Sequence, residues 1–189
     1  MSLTKLNNQS LSAVTTLPAA NGAALTGIDS GISWQTPVTI PTNAATLTLS
    51  GIPSTAKNVS VLWFGLGHAS NGWTGFKVGT SAGLKSSGYT GGAIYATGNT
   101  YYANPPESPG HTYQGLTHYA GRYNGRLDLA KVSDNNWQYN WQYANETDGT
   151  ALNNMGAGAV TSLDAALSQI NFFATSNFNN AGKMVLGYF

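Results

Sequence analysis

A chain of 189 residues with 8% charged side chains, a net charge of +1 and no cysteine excludes several functional classes at once. Its eight basic residues stand singly, so no basic stripe exists to neutralise nucleic-acid phosphates, and nucleic-acid binding is not expected. No disulfide scaffold is possible, and no apolar run approaches the roughly 20 residues that a membrane-spanning helix needs.

What remains is polar without being charged. Ser, Thr, Asn and 23 glycines supply the polarity, where about a quarter of a usual globular chain is charged. Short side chains of this kind compete for local backbone hydrogen bonds and favour turns and extended chain over helix. Ten Tyr, six Phe and five Trp provide the bulk of a sheet core. The length suits one domain with a modest extension, and it buries enough surface to need no metal or disulfide staple. The opening residues lack the apolar core of a signal peptide, so synthesis and folding in a cytosol are expected.

Residues 1–42 differ from the rest. Leu3, Leu6, Leu11, Val14 and Leu17 are spaced irregularly in a Ser/Thr/Asn background, and Pro18, Pro37 and Pro41 follow. The spacing fits no helix, so an extended arm is expected, one that buries its leucines against a partner. Residues 43–189 are expected to form the folded domain.

Period-two patterning begins at Thr46-Leu47-Thr48-Leu49-Ser50 and stops at the turn-rich Gly51-Ile52-Pro53-Ser54. Asn58 to Phe64 starts by alternating and then becomes apolar on both faces, as a central strand does. Gly75 to Gly79 is a shorter strand that runs into turn residues. Tyr89 to Tyr95 is expected to break at Gly91-Gly92. Residues 98–118, with Pro105, Pro106 and Pro109, predict a long loop, and such loops are uncommon in compact domains unless they serve a function.

Strand patterning resumes from Gly125 to Val132, and Asp134-Asn135-Asn136 predicts a turn. Then comes the clearest alternation in the chain. Trp137, Tyr139, Trp141 and Tyr143 occupy one face of a strand, and Gln138, Asn140 and Gln142 the other. A Gly-rich stretch, Gly156-Ala157-Gly158-Ala159, leads to Ser162 to Leu167, which predicts a single helical turn. Ile170-Asn171-Phe172 and Lys183 to Phe189 complete the strands. The expected fold is all-β, an antiparallel β-sandwich of jelly-roll-like form with an extended N-terminal arm.

The order of these pieces carries a resemblance. Gly51-Ile52-Pro53-Ser54 followed by Ala56-Lys57-Asn58-Val59-Ser60-Val61 resembles the opening of a domain found in phage tail-fibre and related virion proteins. Val78-Gly79-Thr80-Ser81-Ala82-Gly83 through Ser86-Ser87-Gly88-Tyr89, and the closing Phe178 to Leu186, are similar to later segments of the same family. Ser2 to Thr15 resembles the start of structural proteins from marine and cyanobacterial phages. The resemblance implies a β-sandwich assembled as a homotrimer on the outer surface of a virion. Its partners would be other virion proteins, a tail adaptor or the major capsid protein, and host-surface glycan. Two features depart from the family: almost no shaft separates arm from domain, and Tyr101 to His118 is longer than the equivalent stretch. A capsid decoration protein or head fibre without receptor binding therefore stays open beside the fibre reading.

Chemistry is sparse. A glycosidase needs two carboxylates about 5–10 Å apart, and Glu146 and Asp148 are the only close pair in the sequence. A solvated loop explains them better, so a polysaccharide depolymerase ranks third and no enzyme is expected. Asp128 and Arg126 suit a surface ion pair. His68, His111 and His118 have no metal-ligand spacing, so neither metal nor cofactor is expected. The four rings of the 137–143 strand suit the core or a subunit interface, with a glycan-stacking platform as the alternative, because aromatics bury about 150–250 Å² each. Tyr101, Tyr102, His111, Tyr113, His118 and Tyr119 flank the expected loop and are the candidate recognition residues.

Overall fold

The computed structural model describes residues 31–70, 74–97, 100–104, 112–114, 121–145 and 153–189. In chain order its strands are β1 (Ser33–Trp34), β2 (Val38–Thr39), β3 (Thr46–Ser50), β4 (Asn58–Leu66) and β5 (Thr74–Thr80). There follow β6 (Gly83–Leu84), β7 (Tyr89–Thr97), β8 (Thr100–Asn104), β9 (Thr112–Gln114) and β10 (Tyr123–Ser133). The last four are β11 (Asn136–Asn145), β12 (Asn153–Val160), β13 (Gln169–Ala174) and β14 (Lys183–Tyr188). The described residues contain no helix, and the protein is all-β with antiparallel sheets, as expected.

The larger sheet has nine strands in the order β1-β14-β4-β10-β11-β12-β7-β8, with β2 also on β14. The smaller has five, β3-β13-β5-β6, with β9 also on β5. Their apolar faces share one core. Trp63 of β4 meets Phe172 of β13 edge-on at 5.7 Å, and Phe76 of β5 meets Tyr139 of β11 at 5.2 Å. The Val78 amide donates to the Tyr89 hydroxyl across the same space at 2.8 Å, and the Tyr139 hydroxyl donates to the Thr90 carbonyl at 2.8 Å. Burial pushes the Tyr89 phenol up to about 12, and its bond from Val78 works the other way. Tyr139 is raised as well, by burial first and by Tyr89 second. Both stay neutral donors at any physiological pH.

The 137–143 strand behaves as its alternation requires. Trp137, Tyr139, Trp141 and Tyr143 are all buried, while Gln138, Asn140 and Gln142 face outward. Rings 3–5% exposed belong to the core and offer no face to a sugar. Of the two readings of this stripe, core packing is the one observed.

Four local expectations are corrected, and the Gly-rich stretch Gly156 to Ala159 sets the pattern for the first: it lies within β12, paired with β11 on one side and β7 on the other. The reason is steric. Gly156 stands opposite Trp141 and Gly158 opposite Tyr139, and a Cβ on either glycine would strike that ring. Glycine is where the large neighbour lies down. Gly91-Gly92 likewise does not break β7; a Cβ at Gly91 would meet the Ala157 carbonyl and the Tyr139 hydroxyl.

The helical turn over 162–167 is absent, and this segment is instead an irregular cover. Leu163 and Leu167 are buried, and the Thr80 hydroxyl donates to Asp164 at 2.9 Å. The loop predicted over 98–118 contains two strands, β8 on the edge of the large sheet and β9 on the small one. Finally, the folded unit starts at Gly31, not at 43. β1 and β2 pair with β14, Ile40 is fully buried, and its amide donates to the Gly182 carbonyl at 2.8 Å. Two-residue strands carry no periodicity, which is why the sequence hides them. Leu3, Leu6, Leu11, Val14 and Leu17 lie outside the described residues.

The ring-over-glycine arrangement predicts an asymmetry between neighbours. Gly158→Val should cost about 1–3 kcal/mol or more by overpacking against Tyr139 and the Thr90 carbonyl. Ala157→Val, whose side chain faces solvent, should change stability by only about 0.5 kcal/mol. Urea denaturation of both variants checks this; equal losses would show that the rings do not depend on glycine.

Candidate functional site

A trough of about 720 Å³ lies on the outer face of the large sheet. Its volume falls in the usual range for ligand sites, about 300–1,000 Å³. Side chains at paired positions of adjacent strands share a face, so the registers give its floor directly. One row runs Gly187, Ser60, Asp128, Asn140, Ala157, Gly92 across β14, β4, β10, β11, β12 and β7. A second runs Asn58, Ala130, Gln138, Ala159, Thr90. Most of these side chains are small. On the opposite flank of the first row stands a row of large ones: Val185, Leu62, Arg126, Gln142, Met155 and Ile94. The trough is therefore a consequence of which outward positions carry bulk.

Its polar centre is one tied group. The Ser60 hydroxyl donates to Asp128 Oδ1 at 2.6 Å, and Arg126 Nη2 contacts Asp128 Oδ2 at 2.6 Å. The bond to Asp128 raises the Arg126 guanidinium above its ordinary value, and slight burial opposes it. As expected from sequence, this pair is superficial, with Arg126 48% exposed, so it contributes little stability. Its value is positional. Each carboxylate oxygen keeps acceptor capacity and the guanidinium keeps donors, and both residues line the trough with Gln138 and Asn140.

One end of the floor row carries an aromatic. Trp34 pairs with Gly187, and a Cβ on that glycine would strike two carbons of the indole's six-membered ring and a methyl of Ile32. The glycine lets the ring lie close against the sheet with 44% of the residue exposed. Ile32 and Phe189, both part-exposed, line the trough at the same end.

The structure treats the other candidates differently. Tyr101 and Tyr102 lie in β8 and Tyr113 in β9, strands of different sheets, so they do not belong to one loop. His111, His118, Tyr119, Glu146 and Asp148 lie outside the described residues. His68 is fully buried, its Nε2 3.0 Å from the Thr74 hydroxyl and its ring 6.0 Å from Phe178. No group of three or more His, Cys, Asp or Glu that could hold a metal occurs among the described residues. Nor does any helix there have the length and apolarity to cross a membrane. Trp34, Ser60 and Ala157 are the site residues that sequence reasoning missed; only the registers bring them together.

Comparison of the chain with protein-family models and with curated proteins finds no match.

His68 makes a prediction about acid stability. Burial lowers its pKa from 6.5 to about 4, and a contact with the Ser176 backbone opposes this. Between those values the unfolded chain binds the proton that the folded one refuses. Its contribution is thus fully present above pH 6.5 and lost as pH falls towards 4, by at most about 3 kcal/mol. Urea midpoints of the wild type and His68→Gln should converge across that window. A gap independent of pH would show that His68 is not held neutral.

Proposed function

We propose that this chain is a non-enzymatic module displayed on a tailed-phage particle, a homotrimeric β-sandwich of jelly-roll-like form that binds host-surface glycan. The virion assignment is supported by the four ordered motifs of sequence resemblance. The binding assignment is carried by one observation: the trough with Ser60, Asp128, Gln138 and Asn140 on its floor, Arg126 on its flank and Trp34 at the end of the floor row. Amides and a carboxylate–guanidinium pair match the donors and acceptors of sugar hydroxyls, and an exposed indole suits the apolar C–H face of a sugar ring. Single contacts of this kind are weak. Three copies on one fibre multiply them, since linking sites raises avidity by about 10²–10⁴ without any new contact.

Capsid decoration is the second reading. It is favoured by the short span between the expected arm and the first strand at Ser33, which leaves no room for a shaft. Stoichiometry separates the two. A few copies per tail support the fibre reading, and one set per capsomer supports decoration.

The experiments follow from these assignments. Asn140→Ala and Trp34→Ala should each lower retention on host-cell glycan about five- to tenfold, the equivalent of one hydrogen bond or one ring face. Unchanged retention in both would remove the trough from the site. Incubation with the same glycan should release no reducing ends; release would overturn the non-enzymatic reading. Deleting residues 1–20 should leave a folded trimer that no longer joins particles.

A further inference from the structure

We infer that the trough takes an uncharged, chain-like glycan segment laid across the strands, not a single terminal sugar. This inference rests on the glycan-binding reading above and specifies its ligand.

Length is the first argument. From Ser60 to Gly92 the floor row crosses five strands, which at about 4.8 Å between neighbours spans about 19 Å, and Trp34 and Ile32 cover the buried Gly187 at its end. No bulky side chain stands across it. Beyond Asn140 the floor continues as Ala157 and Gly92, both exposed. Among the described residues no side chain closes the row on that side, as a pocket built for one terminal ring would require. The flank does the guiding: Leu62, Gln142, Met155 and Ile94 stand one pleat away, about 6.7 Å along the strands, and run parallel to the floor. Such a rail directs a ligand along the row and across the strand direction.

Charge is the second argument. The ionised side chains lining the trough are Arg126 and Asp128, and they neutralise each other at 2.6 Å. An anionic polysaccharide would meet a guanidinium already engaged, with Asp128 beside it. An uncharged chain meets hydroxyl, amide and carboxylate groups without that conflict. Trp34 at one end supplies a stacking surface for one ring of the chain, and the exposed Ala157 and Gly92 extend the row at the other.

The test uses glucan, mannan and galactan oligosaccharides graded from monomer to hexamer, with alginate oligomers as the acidic counterpart. Binding to the full chain is read by quenching of indole fluorescence. Affinity should rise at least about tenfold from dimer to hexamer in the preferred series, and it should hold as ionic strength is raised. Ala157→Trp, an outward substitution that blocks the floor, should reduce hexamer affinity to that of the dimer. Ala144→Trp, also outward but off the two floor rows, should leave it unchanged, and thermal melting should show both variants folded. Monomers binding as well as hexamers would overturn the chain-like ligand while leaving glycan binding intact. Preference for alginate with strong salt dependence would overturn the uncharged ligand. Binding that survives Ala157→Trp unchanged would overturn the trough as its seat. If none of the saccharides binds, this inference and the glycan reading fall together.

Discussion

The packing of β11 against its neighbours is the constraint on which the rest of this molecule depends. Four aromatic side chains from one strand enter the core, and rings of that size cannot all point straight into a space shared with a second sheet. They lie sideways, and that is possible only where the adjacent strands withdraw their own side chains. Gly156 opposite Trp141 and Gly158 opposite Tyr139 do so on β12, and Gly125 on β10 does so for the Trp63 ring of β4. The glycines cost backbone entropy, about 0.5–1 kcal/mol each against alanine, and the buried rings offset it several times over. The arrangement also fixes register. A slip by one residue would put Ala157 or Ala159 under a ring and turn the amides of β11 into the core.

Once register is fixed, the outer face has no freedom left. Gln138, Asn140 and Gln142 must face outward because the rings between them face inward, and each is then aligned with a definite partner on β10 and β12. The Asp128–Arg126–Ser60 group sits on the same rows, so the polar centre of the trough is positioned by core packing and not by its own weak bonds. This suits a chain with so little charge. One superficial ion pair would not hold a site in place, whereas a sheet pinned by buried rings holds it at no electrostatic cost.

How much of this was legible in the sequence follows from where each signal resides. Strands with an inward and an outward face, such as Thr46–Ser50 and the 137–143 stretch, announce themselves by alternation, because the signal lies within the strand. The segment Gly156–Ala159 does not, because the reason for its glycines lies in Trp141 and Tyr139, some fifteen to twenty residues earlier and on another strand. β4 was partly deceptive. Its run Val61-Leu62-Trp63-Phe64 suggested burial on both sides, yet Leu62 and Phe64 are exposed, at 37% and 59%. β1, β2, β8 and β9 are short or flanked by turn residues, and their pairing partners are distant in sequence. The trough was invisible for the same reason as the glycines: its floor draws on residues from five strands, and no local pattern records which residues will stand side by side.

Small residues therefore serve two opposite purposes in this sheet, and β12 alternates between them residue by residue. Gly156 and Gly158 are small because a ring from β11 occupies the space where a side chain would be. Ala157 and Ala159 are small while facing solvent, where core packing imposes no such requirement. A surface free of function tolerates lysine, glutamate or threonine at such positions, and strands in particular favour β-branched residues. Alanine there, aligned with Ser60, Ala130 and Gly92 on neighbouring strands, keeps the floor low along its whole length. The inward glycines are explained by the fold. The outward alanines are not, and what they leave open is a trough of ligand-binding dimensions.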